Sequence, residues 1–425
     1  MQFEPTRAFA AALDQEDPLR DFRNQFILPS RGGQELVYFL GNSLGLQPRL
    51  TRAYLDEILD QWASHGVEAF FTGSRPWIAY HDALLPPLAR IVGCRPDELV
   101  VMNQLSVNLH LMLASFYQPA GKRTRILCEA KAFPSDQYVL ETHVRHHGLD
   151  PATTILELAP APGESTLSTA AIQAAIDRHR EELALVLLGG VNYYTGQVFD
   201  LAAITEAAHR AGALAGFDLA HAAGNVPLRL HDWDVDFACW CHYKYLNAGP
   251  GAIGGVFIHA RHHGPQTPRL AGWWGYQRAT RFRMEKGFVP DPGAAGWQLS
   301  TPSPLLYASL RASLDLFDQA GWARILDKAS RLNDYLWYRL DLLNDTLRQQ
   351  GVRLLTPREP QARGCQVSLL LPGEGRGVYD ALTERGFFVD WREPNVVRLA
   401  PVALYNQFGE VWAFTEALQD ILSSV

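Results

Sequence analysis

Between residues 98 and 258, apolar runs of strand length alternate with segments whose apolar positions recur every three or four residues. ELVVMNQ (98–104) predicts a strand and SVNLHLMLASFY (106–117) a buried helix. RILCEA (125–130) predicts the next strand, followed by a helix from about Ser135. LALVLLGG (183–190) is a continuous apolar run of strand length. DLAAITEAAHRAGA (200–213) sets Leu201, Ile204 and Ala208 on one helical face, with Gly212 near its end. LAGFDLA (214–220) and DFACWC (236–241) are strands again. Alternation of this kind predicts an α/β fold: βαβ units and a mainly parallel sheet covered by helices on both faces.

After about residue 305 the pattern changes. A long helical region (YASLRASLDLFDQAGW, LNDYLWYRLDLLNDTLRQQG) leads to short strands (CQVSLLL, VVRLA) and helices (VYDALTER, EVWAFTEALQDIL). This texture predicts a large domain over 41–305 and a smaller α+β domain over 306–425. The segment 1–40 is free to pack on either. No internal repeat or low-complexity linker interrupts the chain.

The composition narrows the function without naming it. With 47% apolar and 20% charged residues in 425, the chain is long enough for two cores. A net charge of -7 argues against nucleic acid or an anionic membrane as partner. The longest apolar stretch, around LALVLLGGV, is too short to span a bilayer. MQFEPTRAFAAALDQED lacks the cationic start and apolar core of a secretory signal. Five cysteines without regular spacing predict a reduced, cytoplasmic protein. Cys239 and Cys241 would share one face of a strand as buried thiols.

Three motifs lose their chemical reading on context. GPGAIG (249–254) fits G-x-G-x-x-G, but Pro250 and the following GGVFIHA predict a loop entering a strand, where a dinucleotide fingerprint must open a helix. HARHHG (259–264) and RHHG (145–148) lack metal-ligand spacing, so no metal is expected. Cys365 begins an apolar strand in RGCQVSLLL, where a small buried residue fits as well as a reactive thiol.

One constellation survives. Asp218 ends an apolar strand, and His221 follows three residues later. Asp218 alone is equally well a helix cap. Lys244 follows the next strand, in CHYKYLNAGPGAIGG (241–255), flanked by Tyr243 and Tyr245. Adjacent strand ends thus offer an acid and an amine to one crevice. Pyridoxal phosphate needs that pair: an amine for its aldehyde and a carboxylate against its ring nitrogen. Leu105 and Ser106 open a helix whose free N–H groups suit a phosphate. In KAFPSD (131–136), Phe133 can stack on a planar ring and Pro134 fixes the turn. Capping and packing remain the alternative for each piece taken alone.

The chain resembles the kynureninase family, fold-type I enzymes of the aspartate aminotransferase superfamily. The likeness rests on FLGNSLGLQP (39–48), NQLSVNLHL (103–111), EAKAFPSDQY (129–138), YYTGQ (193–197), GFDLAHAAGNV (216–226), LHDWDVDFACWCHYKYLNAGPG (230–251), GWWG (272–275) and VVRLAPVALYN (396–406). It implies a seven-stranded-type sheet and pyridoxal phosphate as cofactor. It also implies hydrolysis of L-kynurenine or its 3-hydroxy form to L-alanine and anthranilate or 3-hydroxyanthranilate. Lys244 would be the Schiff-base lysine and Asp218 the ring-nitrogen partner, with His221 beside the cofactor. Leu105, Ser106, Phe133, Pro134, Ser135 and Asp136 would cradle ring and phosphate, with Tyr243, Trp273 and Thr301 at the phosphate. Tyr243 would serve as acid–base at the substrate carbonyl. Arg398 would grip the substrate carboxylate, bidentately as a guanidinium can. Ser43, in GNSLG, and Val67, Tyr276 and Ser300 would lie on the substrate side.

The resemblance further implies a homodimer whose partner lends residues near 300. Some members carry histidine, asparagine, histidine and serine where this chain has Val67, Thr301, Tyr276 and Gly189. Those positions bear on ring preference, which the greater likeness to 3-hydroxykynurenine-cleaving members tilts that way. Two other functions compete: a cysteine desulfurase-like lyase using Cys365, and a non-catalytic cofactor-binding regulator. The regulator would carry a DNA-binding module, and no basic helix-turn-helix precedes residue 40.

Overall fold

In the computed structural model, which describes residues 2–373 and 375–424, the apolar runs and one further strand form a seven-stranded sheet. Its strands are β1 (Leu99–Met102), β2 (Arg125–Glu129), β3 (Ile155–Leu158), β4 (Leu183–Gly189), β5 (Leu214–Asp218), β6 (Phe237–Cys241) and β7 (Gly254–Ile258). The spatial order is β1-β7-β6-β5-β4-β2-β3, with β7 antiparallel to both its neighbours and the rest parallel. The longer helices are α1 (Arg7–Glu16), α2 (Thr51–His65), α3 (Leu85–Val92), α4 (Leu105–Phe116), α5 (Pro134–His146), α6 (Thr169–Arg178), α7 (Leu201–Arg210), α8 (Pro304–Ala320), α9 (Trp322–Leu342), α10 (Arg376–Glu384) and α11 (Phe408–Ser423).

The unbroken apolar runs have a simple cause: both faces of the sheet are buried. Leu127, Val186, Phe217 and Trp240 enter one core with α6 and α7. Ile126, Leu187, Phe237 and Cys239 enter the other with α4 and α5. The predicted strand 214–220 stops at Asp218, because the Ala220 N–H turns back onto the Asp218 carboxylate at 2.7 Å. β3, which the pattern did not reveal, is an edge strand and only partly buried.

A second sheet of four strands, β8 (Arg353–Leu354), β9 (Val367–Leu370), β10 (Asp390–Arg392) and β11 (Val396–Leu399), is ordered β8-β9-β11-β10. With α9, α10 and α11 it builds a separate core around Leu336, Val367, Val397 and Phe414. The N-terminal segment serves both cores: Ala10, Leu13 and Phe39 join the smaller one, while Leu19, Phe26 and Tyr38 join the larger. Helix α8, beyond residue 305, packs Tyr307, Leu310, Leu314 and Phe317 into the large core; packing shifts to the small core along α9.

Candidate active site

Parallel strands deliver their carboxyl ends to one edge of the sheet, and chemistry collects there. Asp218 closes β5, in register with Gly189 of β4 and Cys239 of β6. Lys244 lies three residues beyond the end of β6. Its Nζ sits 2.9 Å from His221 Nε2 and 5.8 and 5.9 Å from the ring centres of Phe133 and Tyr243. Asp136, Asp218, His221 and Lys244 are all buried.

The electrostatics of this cluster follow from that burial. Loss of water raises the Asp136 carboxyl well above its usual range, and the neighbouring Asp218 and Glu129 charges add to the effect, while Lys244 opposes it. Asp218 is raised by burial too, against the pull of Lys244 and the Ala220 N–H. Burial, then the Lys244 ammonium, pushes His221 well down. The ring is therefore neutral and accepts from Lys244 through Nε2. His221 Nδ1 and Asp136 Oδ1 are left buried without partners. Orphaned buried polar atoms are costly unless something else meets them.

Beside Phe133 two helix N-termini converge. Leu105 begins α4 and Pro134 begins α5, and Ser106 Oγ meets Ser135 Oγ at 2.5 Å, bringing the two termini together. Their free N–H groups and dipoles favour an anion. Phe133 precedes α5, is 38% exposed, and meets the Tyr193 ring edge-on at 5.3 Å between centres. Burial, with the Cys241 thiol nearby, raises the Tyr243 hydroxyl, which keeps its proton at neutral pH.

The small domain contributes Arg398 from the buried β11. Its Nε donates to Asp390 Oδ2 at 2.8 Å, and further N–H groups reach Asp390 and the Tyr193 carbonyl. That fixes the fork, which is almost wholly buried. Tyr193 in turn touches Phe133, so a chain of contacts runs from Arg398 to Lys244. The GNSLG turn closes on the lysine loop: Gly45 N donates to Tyr243 O at 2.8 Å, and a Cβ at Gly45 would fall 2.3 Å from Lys244 O. Ser43 sits half-buried in that turn.

The remaining expected residues form a second cluster. Trp273 packs edge-on against Phe282 at 5.6 Å, and Phe282 against Phe71 at 5.6 Å. Ser300 and Thr301 follow Leu299, whose carbonyl accepts from Trp274 N at 3.0 Å. Val67 lies on the short helix ending at Phe70, which reaches Trp274. Tyr276 bridges to Pro290. Among the described residues, no hydrogen bond, ion pair or ring contact links Trp273, Tyr276, Val67, Ser300 or Thr301 to Lys244, Asp218 or His221.

Sequence reasoning missed Glu129 as part of the site. It closes β2 at the same edge and is 5% exposed. A glutamate ending an apolar strand just before KAFPSD was the available signal. It also missed that Asn103, Lys131 and Asn247 adopt positive φ at the site's rim, of 45°, 57° and 50°. Such strain gathers where surroundings over-determine the backbone.

Elsewhere, Glu98, His231 and His259 cluster at the opposite edge of the sheet. The Glu98 oxygens are already taken by Arg95 N, Ala260 N and His231. All five cysteines are free, and burial pushes the Cys365 thiol up to about 12, which leaves no thiolate at neutral pH.

No helix among the described residues is long and apolar enough to cross a membrane. In comparisons with known structures, the chain superimposes on the cystine C–S lyase C-DES carrying glycine linked to its pyridoxal phosphate cofactor (TM-score 0.75, 20% identity, 94% of this chain and 99% of that one). It also matches an apo cysteine desulfurase from Thermococcus onnurineus NA1 (TM-score 0.73, 17% identity, 92% and 95%). At such identities the likeness concerns the fold. The aminotransferase class-V profile matches residues 152–368 and that of the kynureninase C-terminal domain residues 325–418. Kynureninases of Xanthomonas campestris pv. campestris (strain B100) and Xanthomonas euvesicatoria pv. vesicatoria (strain 85-10) are each 53% identical over 97% of this chain and 97% and 98% of their own. Likeness at that level along the whole chain, with the lysine, the paired acids and the arginine gathered as described, makes this protein a member of the kynureninase family.

Proposed function

We propose that this chain hydrolyses the Cβ–Cγ bond of L-kynurenine, or of 3-hydroxy-L-kynurenine, giving L-alanine and anthranilate or 3-hydroxyanthranilate. The observation that carries the reading is the buried Lys244 amine against a neutral His221, beside the paired Asp218 and Asp136. The residues present fit pyridoxal phosphate. Asp136 Oδ1 and His221 Nδ1 lack partners, Phe133 is exposed, and two helix N-termini converge. Asp218 and Asp136 would meet the ring nitrogen, Phe133 and His221 the ring, and Leu105, Ser106, Ser135 and Tyr243 the phosphate end. When bound, the cofactor supplies an aldehyde for the lysine and an electron-withdrawing ring beside the substrate α-carbon.

The chain's own residues do the rest. Arg398, pinned by Asp390, orients the substrate carboxylate. Lys244 Nζ takes the proton from the α-carbon, with His221 Nε2 as its resting acceptor. Tyr243, protonated at neutral pH, donates to the γ-carbonyl oxygen as water adds there. One water is consumed: its oxygen ends in the aryl carboxylate, and the β-carbon leaves with a proton as alanine. Acid–base help of this sort contributes about 10²–10⁴-fold.

The active form is a homodimer in the cytoplasm. The exposed apolar patch of Val67, Phe71, Trp273, Phe282 and Met284 supports self-association, since a patch of that kind rarely faces water. Trp273, Tyr276, Ser300 and Thr301 would then complete the partner's site. The five free thiols suit a reducing compartment.

The test is anthranilate fluorescence on incubation with each substrate, with Lys244→Ala as control. Turnover by the native chain and none by the variant is expected. Sulfide release from cysteine, without anthranilate, would overturn the reading in favour of a desulfurase.

A further inference from the structure

The turn 192–197 lies between the carboxyl edge of the large sheet and the small domain. Asn192 organises it: its Oδ1 accepts from Tyr194 N, Thr195 N and Thr195 Oγ1 at 3.0, 2.8 and 3.0 Å. Three successive carbonyls of the turn are taken from the small domain. Arg398 and Gln366 donate to Tyr193 O, Ser368 to Tyr194 O, and Thr356 to Thr195 O. On its other side Asn192 Nδ2 donates to Glu129 Oε2 at 3.0 Å. Glu129 also lines a cleft of about 510 Å³ together with Lys131, Asn192, Tyr193 and Tyr194.

We propose that Glu129 is a positioning residue: its buried carboxyl stands beside the Asp218–Asp136 pair, where its protonated form adds no further negative charge, and, through Asn192, it fixes the turn on which Arg398 rests. The roles of Asp218 and Arg398 are those of the reading above. The charged and titratable groups that face this carboxyl are Asp218 from β5 and Asp136 from α5, with Lys244 opposing both acids, and Lys131, Glu164 and Glu393 along the cleft it lines; the amide of Asn192 and the Gly189 N–H complete its surroundings. Burial, and then the Asp218 charge, push Glu129 up to about 7, against its hydrogen bonds from Asn192 and Gly189. It is therefore neutral just below neutral pH and ionised above. A carboxyl raised from 4.5 to about 7 binds its proton more tightly in the folded state. Its contribution to stability is full below the unfolded value, fades as pH rises, and is gone above the folded one.

Three variants of the full chain separate the two attachments. E129Q keeps the shape and an oxygen for Asn192 but cannot ionise; E129A removes the carboxyl and its hold on Asn192; N192A frees the turn and leaves the carboxyl in place without its amide partner. In thermal unfolding of the apo-protein, the wild-type midpoint is expected to decline relative to that of E129Q as pH rises from about 5 to about 8. In the loaded enzyme, N192A and E129A are expected to raise KM for kynurenine about tenfold or more, with kcat within about threefold, because the carboxylate grip loosens while the reacting atoms keep their partners. E129Q is expected to lose the limb of kcat/KM near neutral pH with KM changed less than about threefold. A midpoint for E129Q that parallels wild type at every pH, or a native KM in N192A, would overturn the proposal. If the native chain turns over neither substrate, the functional reading fails first, and the unfolding profile still decides the charge on Glu129.

Discussion

A lysine flanked by tyrosines at the end of an apolar strand is costly to bury unless its charge is met. Here Lys244 faces two carboxyls that burial has weakened as acids and a histidine that burial has kept neutral. Tyr243 is the complementary case, a hydroxyl whose proton is held tightly and is given only to a developing charge. Tyr243→Phe removes that donor without emptying the site. A drop of about 10²–10⁴ in kcat, with cofactor still retained, is the expected outcome of steady-state assays on the purified variant. Full turnover would move the role to another group.

At the scale of elements, the site depends on how closely GNSLG approaches the lysine loop. A side chain at Gly45 would collide with two backbone positions, Lys244 O and Asn247 Cα, and with the Asn247 side chain. Gly45→Ala must therefore displace the loop that carries Lys244, at a cost of about 1–3 kcal/mol. Weaker cofactor retention, read by titrating the apo-variant with pyridoxal phosphate, is expected alongside a lowered urea midpoint. The strands themselves were plain in the sequence, because a strand buried on both faces writes an uninterrupted apolar run. Asp218 and Lys244 were legible for the same reason, as polar residues stationed where such runs end. Glu129 stood at an equivalent position and was overlooked, since its partner Asn192 comes from a turn over sixty residues away. The rim residues with left-handed backbone left no trace either: Lys131 has no propensity for that conformation, and only the packed surroundings impose it.

For the molecule as a whole, the open question of the aromatic patch is one of assembly. Phe282 is 49% exposed and Trp273 45%, yet they pack edge-on beside residues the family reading gives to the site. A second copy covering this patch would join Trp273, Ser300 and Thr301 to the partner's Lys244. Sedimentation is expected to give about twice 47.4 kDa for the native chain. Phe282→Asp, which places a charge in the patch, is expected to shift the population to monomer and to lower activity in proportion to the dimer lost. A fully active monomer would sink the shared-site arrangement.

By itself the sequence determined the alternation of strands and helices, the parallel sheet, and the identity of the residues at its strand ends. These follow from local pattern, because burial on both faces is written in consecutive apolar residues. Only the tertiary structure decided how far α8 belongs to the large core, how the N-terminal segment serves both cores, and which carboxyls lie buried together. Those outcomes depend on distances between segments remote along the chain, and charge in a low-dielectric site is set by every neighbour that folding brings near.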